Sequence, residues 1–507
     1  MNIHPDSKYI PLFLEDVMEG SVVIPRFQRD FIWPNERIAS LIDSIIKGFP
    51  IGSIILWRPD EDQFDVTLDV GGIKVEQVKP NANYVLDGRQ RVTSLISVLY
   101  EKGQNANKFF VDLEDNSVFY STKRNQGVNI MRLCDVFDTF SLVDSLDRIR
   151  SSQEIDEYKK RAYLDSAKRL NKLLVTYEIG FINVSGGKID GAVEIFSRLN
   201  SKGIGISPDY MIQALSYNKN KGFLFGEKID QILASLDKYN FSKISRKLIL
   251  NCVYNYTENP FFDAEAEDII KLDNLQATME RVEKDVLSAV RFLYRDCFVI
   301  DHKLLPYQYQ LIMLANFFKY NEHPSREQLL ELKRWFFLTS YKSYFTNTSL
   351  SNIRRDFKRF EKYCKGEIKE SPLVFKEQVL EIPDPPKSIV LSSVRSCSLI
   401  LSTMLPQITK SGKDCHYITY NIPVEGIVRS LGTVICCTNG QERKVAKDLF
   451  TGRCEYKEEY NRFFLSKVMM NKYFQKDYVG FVKMRERMIL DAEKDNLEKM
   501  FPKIYIS

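Results

Sequence analysis

Asp87-Gly88-Arg89-Gln90-Arg91 gathers side chains suited to phosphate. The apolar run Tyr84-Val85-Leu86 precedes it, and Val92 to Lys102 follows with apolar residues at helical spacing. The pattern predicts a strand, a tight turn at Gly88 and an amphipathic helix. The first amides of such a helix are free N–H donors with partial positive charge. Arg89 and Arg91 add planar guanidinium forks that match phosphate oxygens. Asp87 is out of place there unless it orients an arginine or holds a metal ion on the phosphates. The competing reading is a solvated Asp-Gly turn, a common feature, and spacing alone leaves the two about even.

Two other stretches carry candidate side chains. IPRFQRDFIWP (24–34) sets Phe27, Phe31 and Trp33 around Gln28 and Arg29. Those rings are either a platform for a base or part of the core, and taken alone the core is favoured. In FSRLNSKGIGIS (196–207), Asn200 lies near the end of a predicted helix and Gly203 can take a positive φ, which also describes an ordinary helix C-cap. There is no G-x-x-x-x-G-K-[ST] run, so a P-loop is excluded, and SGGKID (185–190) reads as a turn.

Elements that would position these residues follow from periodicity. A helix is expected over 36–49, ended by Gly48 and Pro50, then a buried strand over 51–57 and another over 83–86. A hairpin is expected over 108–121 and a strand or strand pair over 173–184. Helices are expected over 190–203 and from Ser207, an N-cap before Pro208. Helical period dominates from about 220 to 365, EIPDPPKS (381–388) is the clearest linker, and a mixed segment follows. The fold class expected is α+β, with domains at 1–220, 221–380 and 389–507.

Composition narrows the function classes. The chain has 507 residues, 44% hydrophobic, and a formal charge of only +5, so any nucleic-acid surface must be local. One candidate is the helix at 351–365, where Arg355, Lys358 and Lys362 share a face while Phe357 and Phe360 point elsewhere. That face would contact DNA backbone; a solvated face is the competing and favoured reading. Nine scattered cysteines without a CxxC pair suggest reduced thiols, and no export signal or membrane-length apolar run is seen, so a cytoplasmic protein is expected. Four histidines (His4, His302, His323, His416) limit metal and general-base chemistry, and His302, with no partner at ligand spacing, is read as structural.

IPRFQRDFIW, LIDSIIKGFPIGSIILW, DGRQR and FSRLNSKGIGIS occur in the order seen in the N-terminal domain of the GmrSD/SspE-like family, and residues 10–220 resemble that domain. The resemblance implies a ParB/sulfiredoxin-related fold in a protein of anti-phage defence and modification-dependent restriction. It also implies a nucleoside triphosphate bound and hydrolysed with Mg²⁺. The family motif is usually Asp-Gly-Gln-Gln-Arg, so Arg89 departs from it. The site it implies comprises Gln28, Arg29, Asp87, Gly88, Arg89, Gln90, Arg91, Asn200 and Gly203, with Asp87, Gln90 and Arg91 catalytic. Residues 430–489 resemble the scaffold of an HNH nuclease domain. Thr433 and Glu442 stand where asparagines are expected, Lys467 replaces a late histidine, and His416 alone remains of a histidine pair, so the nuclease centre is expected to be lost. DNA, a nuclease or defence-system partner protein and self-assembly are the partners considered; a membrane is not. Two alternatives stand beside this reading: a complete NTP-dependent DNA endonuclease, and a nucleotide-gated binding module without turnover.

Overall fold

The computed structural model describes residues 2–26, 31, 33–60, 66–75, 77–123, 127–187, 212, 223–258, 268–269, 271–368, 379–408, 415–426, 429–502 and 504–506. The fold is mixed α+β, and the chain divides into two compact units, Met1–Leu224 and Phe225–Ser507.

In the first unit the strands are β1 (Asn2–Tyr9), β2 (Val22–Val23), β3 (Ile54–Arg58), the short pair β4 (Asp69–Val70) and β5 (Ile73–Lys74), β6 (Asn83–Asp87), β7 (Phe109–Asp112), β8 (Val118–Tyr120), β9 (Ile130–Arg132) and β10 (Glu178–Ser185). Five of them form one sheet in the order β1-β10-β3-β6-β2. β10 is parallel to β3 and β2 to β6, while β1–β10 and β3–β6 are antiparallel. The helices are α1 (Ile10–Met18), α2 (Asn35–Ile46), α3 (Arg89–Leu99), α4 (Leu133–Phe137), α5 (Thr139–Ser151) and α6 (Glu157–Thr176). The main core joins Phe13 and Val17 of α1, Ile42 and Ile45 of α2, Leu95 and Val98 of α3 and Leu170 and Leu174 of α6 to Ile54 and Val85 of the sheet. The expected hairpin at 108–121 is the β7–β8 pair.

Three expectations need correction. The helix after Gly88 is not amphipathic: every residue from Val92 to Leu99 is buried. Its small polar side chains satisfy themselves locally, Ser94 Oγ donating to Gln90 O (2.7 Å) and Ser97 Oγ to Ser94 O (2.9 Å). The apolar run at 173–184 is not all strand, because α6 continues its buried face through Leu174 and ends at Thr176. The strand expected from Ile51 starts at Ile54, after a turn with Gly52 at φ +83°. The helices expected at 190–203 and from Ser207 lie outside the described residues, save Ile212, which is helical and buried.

The second unit is mainly helical. Its long helices are Leu275–Asp296, Gln308–Tyr320, Arg326–Tyr341, Leu350–Cys364 and Tyr478–Met500. A hairpin, β12 (Ile418–Asn421) with β13 (Val434–Cys437), leads into the helix Gly440–Phe450, and β11 (Val379–Leu380) runs parallel to β14 (Tyr505–Ile506). Hydrogen bonds tie its early and late segments together: Asn240 Nδ2 to Cys415 O (2.8 Å) and Arg334 Nε to Met500 O (2.9 Å). Glu493 is only 1% exposed and accepts both guanidinium arms of Arg395 (2.6 and 2.8 Å), along with the Tyr341 hydroxyl.

A buried pair of this kind is costly to break from one side, because the remaining charge stays unpaired. Arg395→Met should lower unfolding free energy by about 3–5 kcal/mol, and the double variant Arg395→Met/Glu493→Leu should recover much of that. Urea unfolding followed by fluorescence reads both; an unchanged midpoint in the single variant would contradict the assignment.

Candidate functional site: the turn between β6 and α3

β6 delivers Asp87 to the sheet end, and Gly88 turns the chain with φ +105° as the N-cap of α3. A Cβ at residue 88 would lie 2.9 Å from Ile54 Cγ1, so glycine is required both by conformation and by the neighbouring strand. Gly88, the N-cap residue, has no side chain with which to cap the first turn of α3. Asp87 Oδ1 accepts from its neighbour Gly88 N (2.8 Å), and its Oδ2 pairs with Arg91 Nη2 (3.0 Å). The carboxylate therefore orients an arginine, one of the two roles the sequence allowed it.

Arg91 is more deeply held than the sequence suggests, its side chain 14% exposed against 37% for Asp87. Its Nη1 donates to Ile51 O (3.1 Å). That approach is open because residue 52 is glycine, whose missing Cβ would sit 2.7 Å from the same nitrogen. Ile51 and Gly52 are thus part of the site and were not singled out by sequence; the Gly48-Phe49-Pro50-Ile51-Gly52 run was the available signal. Gln90 is buried at 8% exposure and Arg89 is half-buried. Asp87, Gly88, Arg89, Gln90 and Arg91 are brought together on one corner; Gln28, Arg29, Asn200 and Gly203 lie outside the described residues.

β2 runs parallel to β6, pairing Val22 with Asn83 and Val23 with Tyr84, and so heads toward the end of the sheet where Asp87 stands. Beyond it, Phe31 and Trp33 pack against the core, with the Arg37 guanidinium 4.6 Å from the Trp33 ring centroid. Both rings are half-buried.

Residues 13–217 match the family model described as GmrSD restriction endonuclease, N-terminal domain. The chain carries a GmrSD-type N-terminal domain. The match covers both the β6–α3 corner and the stretches around Gln28 and Asn200. An uncharacterized protein of Methanocaldococcus jannaschii is 23% identical over 412 residues, which is 73% of this chain and 70% of that relative.

Outside the GmrSD-type domain, the other candidates fall in separate places. On the helix Leu350–Cys364, Ile353, Phe357, Phe360 and Cys364 are buried while Arg355, Lys358 and Lys362 are exposed. Arg355 Nε contacts Asp356 Oδ1 at 3.3 Å. His302 Nδ1 lies 3.1 Å from Asn240 O, a structural contact. Glu442 is buried and its Oε2 accepts from Thr438 N (2.7 Å) and Thr438 Oγ1 (2.9 Å). Buried Thr433 donates to Ser430 O (3.1 Å), whereas His416 and Lys467 are exposed. Among the described residues no helix is long and apolar enough to cross a membrane, and no three His, Cys, Asp or Glu side chains gather as a metal site.

Gly88→Ala should test the corner. The left-handed backbone and the Ile54 contact together should cost about 2–4 kcal/mol, lowering the thermal midpoint of the first unit. A midpoint equal to wild type would show that the turn can relax without harm.

Proposed function

We propose that this is a restriction-type defence protein whose N-terminal unit binds and hydrolyses a nucleoside triphosphate as a switch. The observation that carries the reading is the glycine-capped start of α3, where Asp87 holds Arg91 and Arg89 stands on the same corner. Amide N–H groups and the helix dipole favour a phosphate at that point. Arg91, fixed by Asp87 and Ile51 O, presents a pre-oriented charge, and Arg89 adds a second guanidinium. Gln90 is the remaining polar side chain of the motif.

Mg²⁺ fits this corner only in a shared role. Asp87 is a single carboxylate already accepting from Gly88 N and Arg91, so the ion would be held mostly by phosphate oxygens and water, which is its usual habit. When bound it would neutralise charge on the phosphates. The rest of the work falls to the chain: Asp87 holds Arg91 in place, and Arg91 and the first-turn amides hold the triphosphate.

Arg89→Gln restores the residue usual in the family and removes one charge-assisted contact of about 1.5–3 kcal/mol. Triphosphate binding should weaken about 10- to 100-fold. Calorimetry of the full chain with each of the four ribonucleoside triphosphates, with and without Mg²⁺, reads this; equal affinity in wild type and variant removes Arg89 from the phosphate site. Phosphate release separates a hydrolysing switch from a binding module without turnover.

DNA is the proposed target, with a nuclease or defence-system protein as partner. The exposed face of Leu350–Cys364 supplies Arg355, Lys358 and Lys362 for backbone contacts. Replacing all three by Gln should reduce the salt slope of DNA binding by about 2–3, at roughly 0.9 for each phosphate contact. An unchanged slope makes the face a solvated one. The hairpin and helix at Ile418–Phe450 are consistent with a nuclease scaffold that has lost its centre. Glu442 Oε2 is engaged with Thr438, and His416 has no second histidine in this segment. Metal-dependent nicking of plasmid DNA would instead favour the complete endonuclease.

A further inference from the structure

A cavity of about 410 Å³ lies in the helical part of the second unit, within the size range of ligand pockets. Arg281, Lys284 and Asp285 reach it from the helix Leu275–Asp296, where their spacing puts them on one face. Lys319 and Glu322 come from the end of the helix Gln308–Tyr320 and just beyond, and Tyr256 from a short helical turn. Asp285 is buried and Lys319 part-buried, so both need partners. Tyr256 Oη donates to Asp285 Oδ2 at 2.6 Å. Lys319 Nζ donates to Asn255 O (2.6 Å) and Tyr320 Oη (2.9 Å), and sits 4.7 and 4.6 Å from the ring centroids of Tyr256 and Tyr320. Two hydrogen bonds leave one ammonium N–H for a guest. Lys284 pairs with Glu322, but both side chains are more than half exposed, so that pair is weak and exchangeable. Arg281 is exposed and has no carboxylate partner among the described residues.

Three cations thus face two carboxylates. One of these, Asp285, is pushed up to about 6 by burial, against the opposing pull of Tyr256 and Lys319. The balance is positive, and the wall beside the cations is aromatic. We propose that this cavity binds a small organic phosphate monoester, the phosphate held by Arg281, Lys284 and Lys319 and the organic part against Tyr256 and Phe318. Arg281 supplies a fork at the rim, Lys284 exchanges Glu322 for the phosphate, and Lys319 closes on it from the wall. Asp285 opposes the anion while ionised, so the site favours its neutral form. The groups facing Asp285 are Lys284, Lys319 and Glu322, together with Tyr256 and Cys252, both of which burial keeps neutral. This site is separate from the β6–α3 corner and does not depend on the reading given to that corner.

The test is calorimetry of the full chain with phenyl phosphate, with inorganic phosphate and benzoate as comparisons. Phenyl phosphate should bind more tightly than either. Arg281→Gln, an exposed and structurally mild change, should weaken it about tenfold or more, as should Lys319→Gln, while Arg89→Gln in the other unit should leave it unchanged. Asp285→Asn keeps an acceptor for Tyr256 and should tighten binding several-fold at pH 8 but not at pH 5. A damaged fold would weaken binding instead, so the sign of that change is diagnostic. Absence of binding, equal binding of benzoate, or affinity untouched by Arg281→Gln would overturn the proposal.

Discussion

The left-handed backbone at Gly88, pressed against Ile54, is the constraint on which the β6–α3 corner depends. It lets β6 pass into α3 without a loop. Asp87 and Arg91, four residues apart, can then meet across the first turn. Gly52 supplies the matching gap on the neighbouring strand entry, so Arg91 is held by a carboxylate and by a backbone carbonyl at once. A side chain at either glycine would collide with an element of the sheet or with the guanidinium itself. α3 then runs buried for the rest of its length, which fixes its first turn relative to the sheet.

How charges are held differs from place to place in the chain, and that difference separates architecture from chemistry. Arg485 in the second unit is fully buried and donates to the carbonyls of Phe463, Leu431 and Val434, while burial pulls its pKa down to about 10. Arg395 is closed by both oxygens of Glu493. Both cations are saturated by their surroundings and act as fasteners. Arg91, Arg281 and Lys319 are held on one side only, which is the arrangement expected of groups that meet a ligand.

Local chemistry was legible in the sequence and tertiary chemistry was not. Strand, glycine turn and helix at 83–99 follow from a few neighbouring residues, and so does the Asp87–Arg91 spacing. The full burial of α3 was hidden because Thr93, Ser94 and Ser97 look polar, although the two serine hydroxyls bond back to their own helix. The end of α6 is hidden in the sequence because LLVTYEIGFINV is apolar enough for either a helix or a strand, and only packing decides where one yields to the other. Glu442 stands in the sequence where an asparagine is expected, and only the folded chain shows that its carboxylate accepts from Thr438. The cavity lined by Tyr256, Asp285 and Lys319 draws on residues far apart in the chain, so no spacing pattern could reveal it.

Triphosphate binding at the β6–α3 corner is tested most directly by hydrogen–deuterium exchange of the full chain with and without triphosphate and Mg²⁺. Slowed exchange should concentrate in peptides spanning Leu86 to Thr93, where the first-turn amides of α3 would take the phosphates. Protection elsewhere with that turn unchanged would contradict it.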